Sequence, residues 1–133
     1  MVKTFTRLFE AGDRDVWRNH FDPDVVWDTS ASEMPSAGVY RGHEGVERFF
    51  REWLGTWSDY GVETSEFIDA GDSVVVVFRQ SGIGRSSGVR AEHDFFGVYD
   101  ISDSQVIRYR QYESRNEALE AVGLSEQDAH ADS

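Results

Sequence analysis

The sequence contains no cysteine, which excludes both disulfides and thiolate metal sites. A chain without disulfides suits a reducing compartment, and the expectation is a cytoplasmic protein. Basic residues are scarce: 13 Lys and Arg stand against 25 Asp and Glu, a formal net charge of −12. A surface of that sign repels phosphate backbones and anionic lipid, so neither nucleic acid nor membrane is expected as a partner. No stretch approaches the roughly 20 apolar residues that span a bilayer. The opening "MVKTFTRLFEAGDRD" has no uninterrupted apolar run and is not read as a signal peptide. There is no internal repeat and no sign of a second domain. One domain is expected over 1–124, followed by a polar, disordered tail over 125–133.

Aromatic residues are abundant instead. Nine Phe, five Tyr and four Trp make up 14% of the chain, a load that fills a wide core or lines a pocket. Val2, Phe5, Leu8 and Phe9 recur at helical spacing ahead of Gly12, and Asp13 is placed to cap a second short helix, "RDVWRNHF". "DVVWDT" (24–29) reads as a strand and "SASEMPSAGVYRG" as a loop. The clearest pattern follows: Val46, Phe49, Phe50, Trp53, Leu54 and Trp57 form one apolar stripe on a helix expected over 43–60. Beyond it lie only strand signals. "GVETSEFIDA" turns at Gly71–Asp72 into "SVVVVFRQ", a run suited to a strand covered on both faces. "SGIGRSSG" is a loop, too weak for a phosphate-binding reading because no helix follows it. "VRAEHDFFGVYDI" and "VIRYRQYE" complete a meander, and "SRNEALEAVGL" closes as a short amphipathic helix. The expected class is α+β: a cone-shaped, curved, mostly antiparallel sheet wrapped around one long helix, with two short N-terminal helices.

This order, with "LFEAGDRD", "HFDPDVVWD", "YRGHEGVERFF" and "VIRYRQYESRNEALEAVGL", resembles the SnoaL-like branch of the nuclear-transport-factor-2-like superfamily over residues 3–124. The resemblance implies a ketosteroid isomerase-like cone, a small-molecule pocket at its open end and a homodimer through the outer sheet face. Ketosteroid isomerase, limonene epoxide hydrolase, scytalone dehydratase and polyketide cyclases share that fold, which does not by itself assign a function. The resemblance puts the isomerase's general-base aspartate at Thr29 and its two oxyanion donors at Phe5 and Phe95. Pocket tyrosines fall at Phe21 and Phe50. The epoxide hydrolase's two acids fall at Gln80 and Gln111, with its arginine at Phe78. Phenylalanine can neither take a proton nor stabilise an oxyanion, and glutamine cannot act as a base. Neither reaction is supported.

Strand alternation places His93 on the face of Phe95, which the resemblance puts toward the cavity, with Tyr109, Gln111 and Glu113 expected inward on the next strand. His93 reads either as a hydrogen-bonded rim histidine or as a general acid/base, since imidazole can do both. A metal reading lacks a second ligand at suitable spacing, and no metal or cofactor is expected. Asp28, beside the isomerase-base position, reads either as a second catalytic group or as an outward charge, with Trp27 and Thr29 the inward pair. Expected ligand contacts are Phe5, Trp27, Thr29, Phe50, Trp53, Gln80, Phe95, Tyr109 and Gln111, facing a small apolar molecule. Two readings stay open: a cofactor-free isomerase, cyclase, dehydratase or hydrolase, and a non-enzymatic ligand-binding or structural homodimer. A dimer would meet through Glu92, Asp94, Phe96, Val98, Arg108, Arg110 and Tyr112, with ionic pairs between the arginines and the acids.

Overall fold

The computed structural model describes residues 2–13, 15–32 and 37–125, the side chains of Thr4 and Phe5 excepted. The expected tail beyond Ser125 lies outside the described residues. Helix α1 (Val2–Glu10) is followed by a single 3-10 turn, Val16–Asn19. Strand β1 (Phe21–Asp28), the short β2 (Val39–Arg41) and helix α2 (Gly42–Gly55) come next. Four strands then follow in meander: β3 (Trp57–Asp69), β4 (Ser73–Gly84), β5 (Arg90–Ser102) and β6 (Gln105–Tyr112). Helix α3 (Arg115–Ala121) closes the described fold, with the Ser114 hydroxyl accepting from the Glu117 N–H as its N-cap.

The six strands form one open sheet in the order β2-β1-β6-β5-β4-β3. Every neighbouring pair is antiparallel except β1 with β6, which run parallel. Register slips at Phe21/Val26, Ser58/Gly61, Thr64/Glu66 and Asp100/Ile101 bend the sheet, as bulges do. The first of them accommodates Pro23, which has no N–H for a ladder. The α+β fold with a curved sheet around a long helix stands as read.

Three local expectations are corrected. The long helix stops at Gly55 rather than 60: Trp57 opens β3 opposite Gly84, so its helical spacing is a coincidence of period. The second N-terminal helix is only the 3-10 turn, and Asp13 accepts the N–H of Asp15 ahead of it instead of capping it. The stretch read as a loop contains β2, three residues held by pairing with Val26–Asp28.

The core lies between the concave sheet face and α2. Val25, Trp27, Val46, Phe49, Val76, Val106 and Tyr109 are buried there. On the convex face α3 lays Ala118 and Leu119 over Ile68, Val75 and Val98. Val75 and Val76 thus bury on opposite faces of β4, the two-sided cover its apolar run implied. Val98, expected at a dimer contact, is fully covered by this chain's own helix. The charges expected to cross an interface also pair internally: Arg79 with Asp94, and Arg108 and Arg110 with Asp100. Among the described residues no helix is long and apolar enough to cross a membrane.

Candidate functional site

Inside the cone lies a hollow of about 70 Å³ between α1, α2 and the concave sheet. Its walls include six of the expected contacts: Trp27, Phe50, Trp53, Gln80, Tyr109 and Gln111. The sheet's alternation brings these side chains inward, and α2 supplies Phe50 and Trp53 one turn apart. Tyr109 stacks on Trp27 with ring centroids 3.9 Å apart and 19° between planes. The Tyr109 hydroxyl donates to Gln111 Oε1 at 2.8 Å, and burial pushes both the Tyr109 and Tyr99 phenols above their ordinary pKa.

Gln80 is held by two donors. Its Oε1 accepts from Trp53 Nε1 at 2.7 Å and from the Tyr60 hydroxyl at 2.6 Å. With the oxygen fixed this way, the amide NH₂ is the end of Gln80 that is left for a ligand. Trp53, Tyr60 and Gln80 line a second, more open space of about 400 Å³ as well, so they form the partition between the hollow and its mouth. The mouth also carries Trp57, His93, Phe95 and Glu113.

His93 is on the inward face of β5, in register with Gln80, but its side chain is 56% exposed. Strand β5 extends past the end of α2, and its first five residues are all exposed. Facing inward there means facing the mouth. His93 Nε2 lies 3.8 Å from Glu113 Oε1, and the imidazole packs on Phe95 with centroids 4.6 Å apart. Phe95, expected inside the hollow, is buried against Phe78 and Trp53 and forms a wall of the mouth.

Two expected residues lie in neither space. Thr29 is fully buried, but its hydroxyl donates to Gly38 O and accepts from Gly38 N, so it clamps the loop after β1. Asp28 points to the other face, where its Oδ1 accepts from both the N–H and the hydroxyl of Ser30. The Phe5 side chain lies outside the described residues. Among the described residues no three His, Asp or Glu side chains converge to hold a metal ion.

Sequence reasoning missed Glu10 and Tyr60. Glu10 ends α1 one turn after Thr6, and both line the hollow. Its Oε1 accepts the Thr64 N–H at 2.6 Å, beside the point where the register of β3 slips. The i, i+4 spacing of Thr6 and Glu10 was visible in the sequence; the bulge that offers the N–H was not. Tyr60 was hidden because residues 56–60 were assigned to the helix.

Several solved structures share this architecture. An NTF2-like protein from Burkholderia thailandensis E264 is 28% identical, with a TM-score of 0.70 over 78% of this chain and 82% of that one. A SnoaL-like protein from Jannaschia sp. CCS1, assigned as a polyketide cyclase, is 23% identical, with a TM-score of 0.71 over 93% and 92%. A protein of ketosteroid isomerase-like fold from Catenulispora acidiphila DSM 44928, solved in complex with trimethylamine, is 13% identical, with a TM-score of 0.71 over 95% and 94%. No curated protein matches by sequence. The family model for the SnoaL-like domain matches residues 2–109, and the chain belongs to the SnoaL-like family.

Proposed function

We propose that the protein takes a small, largely apolar molecule into the joined hollow and mouth and moves a proton on it with His93, without a cofactor. The observation that carries this reading is the His93–Glu113 pair, 3.8 Å apart at the mouth of a ring-lined space. Imidazole can accept a proton from a bound molecule and return it elsewhere, and a carboxylate beside it stabilises the imidazolium formed in between. Glu113 is the more sheltered of the two, at 25% exposed, and so suits the role of a fixed partner to a mobile proton carrier. Gln80, its oxygen already engaged, offers an amide N–H to a carbonyl at the partition. Reaction types that fit are isomerisation, cyclisation or dehydration of an enolisable substrate, with the product's proton supplied by the same imidazole. Asp28 has no part in this reading.

One observation favours simple binding instead. Inside the hollow the hydroxyls of Tyr60 and Tyr109 donate to glutamine oxygens, so neither stands ready to donate to a developing oxyanion. The test is a screen of lactones, enones and epoxides with the wild type, His93→Ala and Glu113→Gln. Turnover lost in both variants with folding unchanged supports proton transfer at the mouth. Turnover that survives His93→Ala, or ligand binding without turnover in any form, returns the protein to the binding reading.

A homodimer is part of the same proposal. The convex face of β1 and β2, away from α3, carries Val39, which is 45% exposed and in register with outward-facing Asp28. Beside Val39 the same face carries Asp28 and Arg41, while Arg108 and Arg110 pair with Asp100 within the chain, so the contact would combine apolar and charged groups. A monomer in sedimentation at micromolar concentration contradicts it.

A further inference from the structure

We infer that the inner hollow is a site for the head group of a small organic cation, an alkylated ammonium, with Glu10 as its counter-charge. Eleven of the eighteen residues lining it are aromatic, one is a carboxylate and none is Lys, Arg or His. Ring faces carry negative electrostatic potential and attract ammonium groups, most strongly where water is excluded.

The polar atoms point the same way. Thr6, Tyr60 and Tyr109 donate their hydroxyl hydrogens to protein oxygens, as Trp53 does its indole hydrogen. Trp27 Nε1 has no partner among the described residues but is covered by protein, not open to the hollow. What these groups present is therefore acceptor lone pairs and ring faces. An anion would meet Glu10 and rings, with the Gln80 amide N–H at the partition as the donor to set against that charge. Glu10 engages one oxygen with the Thr64 N–H and, although it also borders an outer groove with Arg7 and Arg79, forms no salt bridge among the described residues. A glutamine at position 10 would serve the β3 N–H equally well. The charge is the part that the fold does not need.

Size is consistent. A dry cavity of about 150 Å³ holds benzene, so a space of about 70 Å³ holds a group of about three or four non-hydrogen atoms. Larger substituents on the nitrogen would run through the partition at Gln80 into the mouth. The assignment concerns binding and stands apart from proton transfer by His93.

The test uses three probes of four non-hydrogen atoms each and different charge: trimethylammonium, acetone and acetate. Binding to the full chain is read by isothermal titration and by quenching of tryptophan emission, with no turnover substrate present. Trimethylammonium is expected to bind about tenfold or more tightly than acetone, with acetate weakest. In Glu10→Gln, which retains an acceptor for Thr64, the preference for the cation over acetone should collapse to within about twofold. Glu10→Asp should keep the sign of the preference. Acetone or acetate matching trimethylammonium, no binding of any probe, or a cation preference that persists in Glu10→Gln each overturns the assignment. None of these outcomes touches the His93 reading, which is scored by turnover alone.

Discussion

Gly97 offers the sharpest check on how the hollow is built. It sits mid-strand in β5, where glycine is a poor choice: it weakens a strand by about 0.5–1 kcal/mol relative to alanine. The reason it is there is Tyr109, whose ring reaches across from β6. A Cβ on residue 97 would fall 2.5 Å from Tyr109 Cε2, 2.8 Å from its hydroxyl oxygen and 3.0 Å from Cζ. Relief requires the ring to move by about an ångström, since ordinary carbon contacts begin near 3.5 Å. The ring has nowhere to go. It is stacked on Trp27 at 3.9 Å, packed against Tyr99 at 4.9 Å and 1% exposed. Overpacking of this kind costs about 1–3 kcal/mol, and the gain from removing a glycine offsets part of it. Gly97→Ala should therefore lose about 1–2 kcal/mol, which for a domain of this size lowers Tm by about 3–10 °C. Thermal unfolding followed by circular dichroism measures this directly. The control is Gly55→Ala at the exposed end of α2, where an added Cβ meets nothing within 4 Å; the same exchange there should raise stability by about 0.4–1 kcal/mol. Trimming the ring should rescue the strand, so Gly97→Ala combined with Tyr109→Leu should lose less than the sum of the single losses. A Gly97→Ala protein as stable as the wild type, or strictly additive losses, would refute this account of the packing around the hollow.

Other parts of the structure make further predictions. The Tyr99 and Tyr109 phenols are raised by burial, so above about pH 10 the unfolded chain loses protons that the folded chain keeps. Stability is unaffected by these groups below that pH and should fall above it by up to about 2.7 kcal/mol per pH unit, measurable as a shift in urea midpoint. Asp100 accepts from Ser73, Arg108 and Arg110, and Arg110 is only 17% exposed, so Asp100→Ala strands a half-sheltered cation and should cost about 2–3 kcal/mol in chemical denaturation. Arg115 grips Glu66 through two bonds of 2.8 and 2.9 Å that tie α3 to β3. Glu66→Gln should cost about 1 kcal/mol at low salt and less at high salt, read from Tm at two ionic strengths.

Much of this arrangement was legible before any coordinates. The stripe from Val46 to Leu54 fixed α2 because five apolar side chains at one helical face have no other way to bury together. The alternation of Tyr109 and Gln111 along β6 put both in the hollow, since a one-residue slip would have turned a tyrosine and a glutamine out and two arginines in. Trp57 was misread because a residue eleven positions after Val46 satisfies a helical period whether or not the helix continues. What ended the helix was partly tertiary: the Thr56 carbonyl accepts from Arg85, across the sheet's edge. The three residues of β2 carry almost no propensity signal and exist because Val26–Asp28 present an open ladder. His93 shows the limit of alternation as a guide. Period two gives the face a side chain points to, but burial depends on what lies opposite, and α2 has already ended where His93 looks inward.

The division between an inner hollow and its somewhat more open mouth bears on what chemistry the chain can perform. A proton carrier needs solvent or substrate access on one side and a dry wall on the other, and His93 has both: it is more than half exposed and rests on Phe95. The hollow has the opposite character, with the Tyr60 and Tyr109 hydroxyl hydrogens committed to glutamine oxygens and its one described carboxylate set at the α1–β3 seam. By the resemblance, the acids of the isomerase and the epoxide hydrolase correspond to Thr29, Phe95, Gln80 and Gln111, and only the two glutamines line the hollow. The carboxylate that does line the hollow is Glu10, on the first helix. A carboxylate there faces rings rather than a second acid or an oxyanion donor, which makes it suited to holding a positive charge in place and poorly suited to abstracting a proton. On the two proposals made above, recognition would belong to the inner hollow and proton transfer to its mouth beside His93, and each is tested without the other.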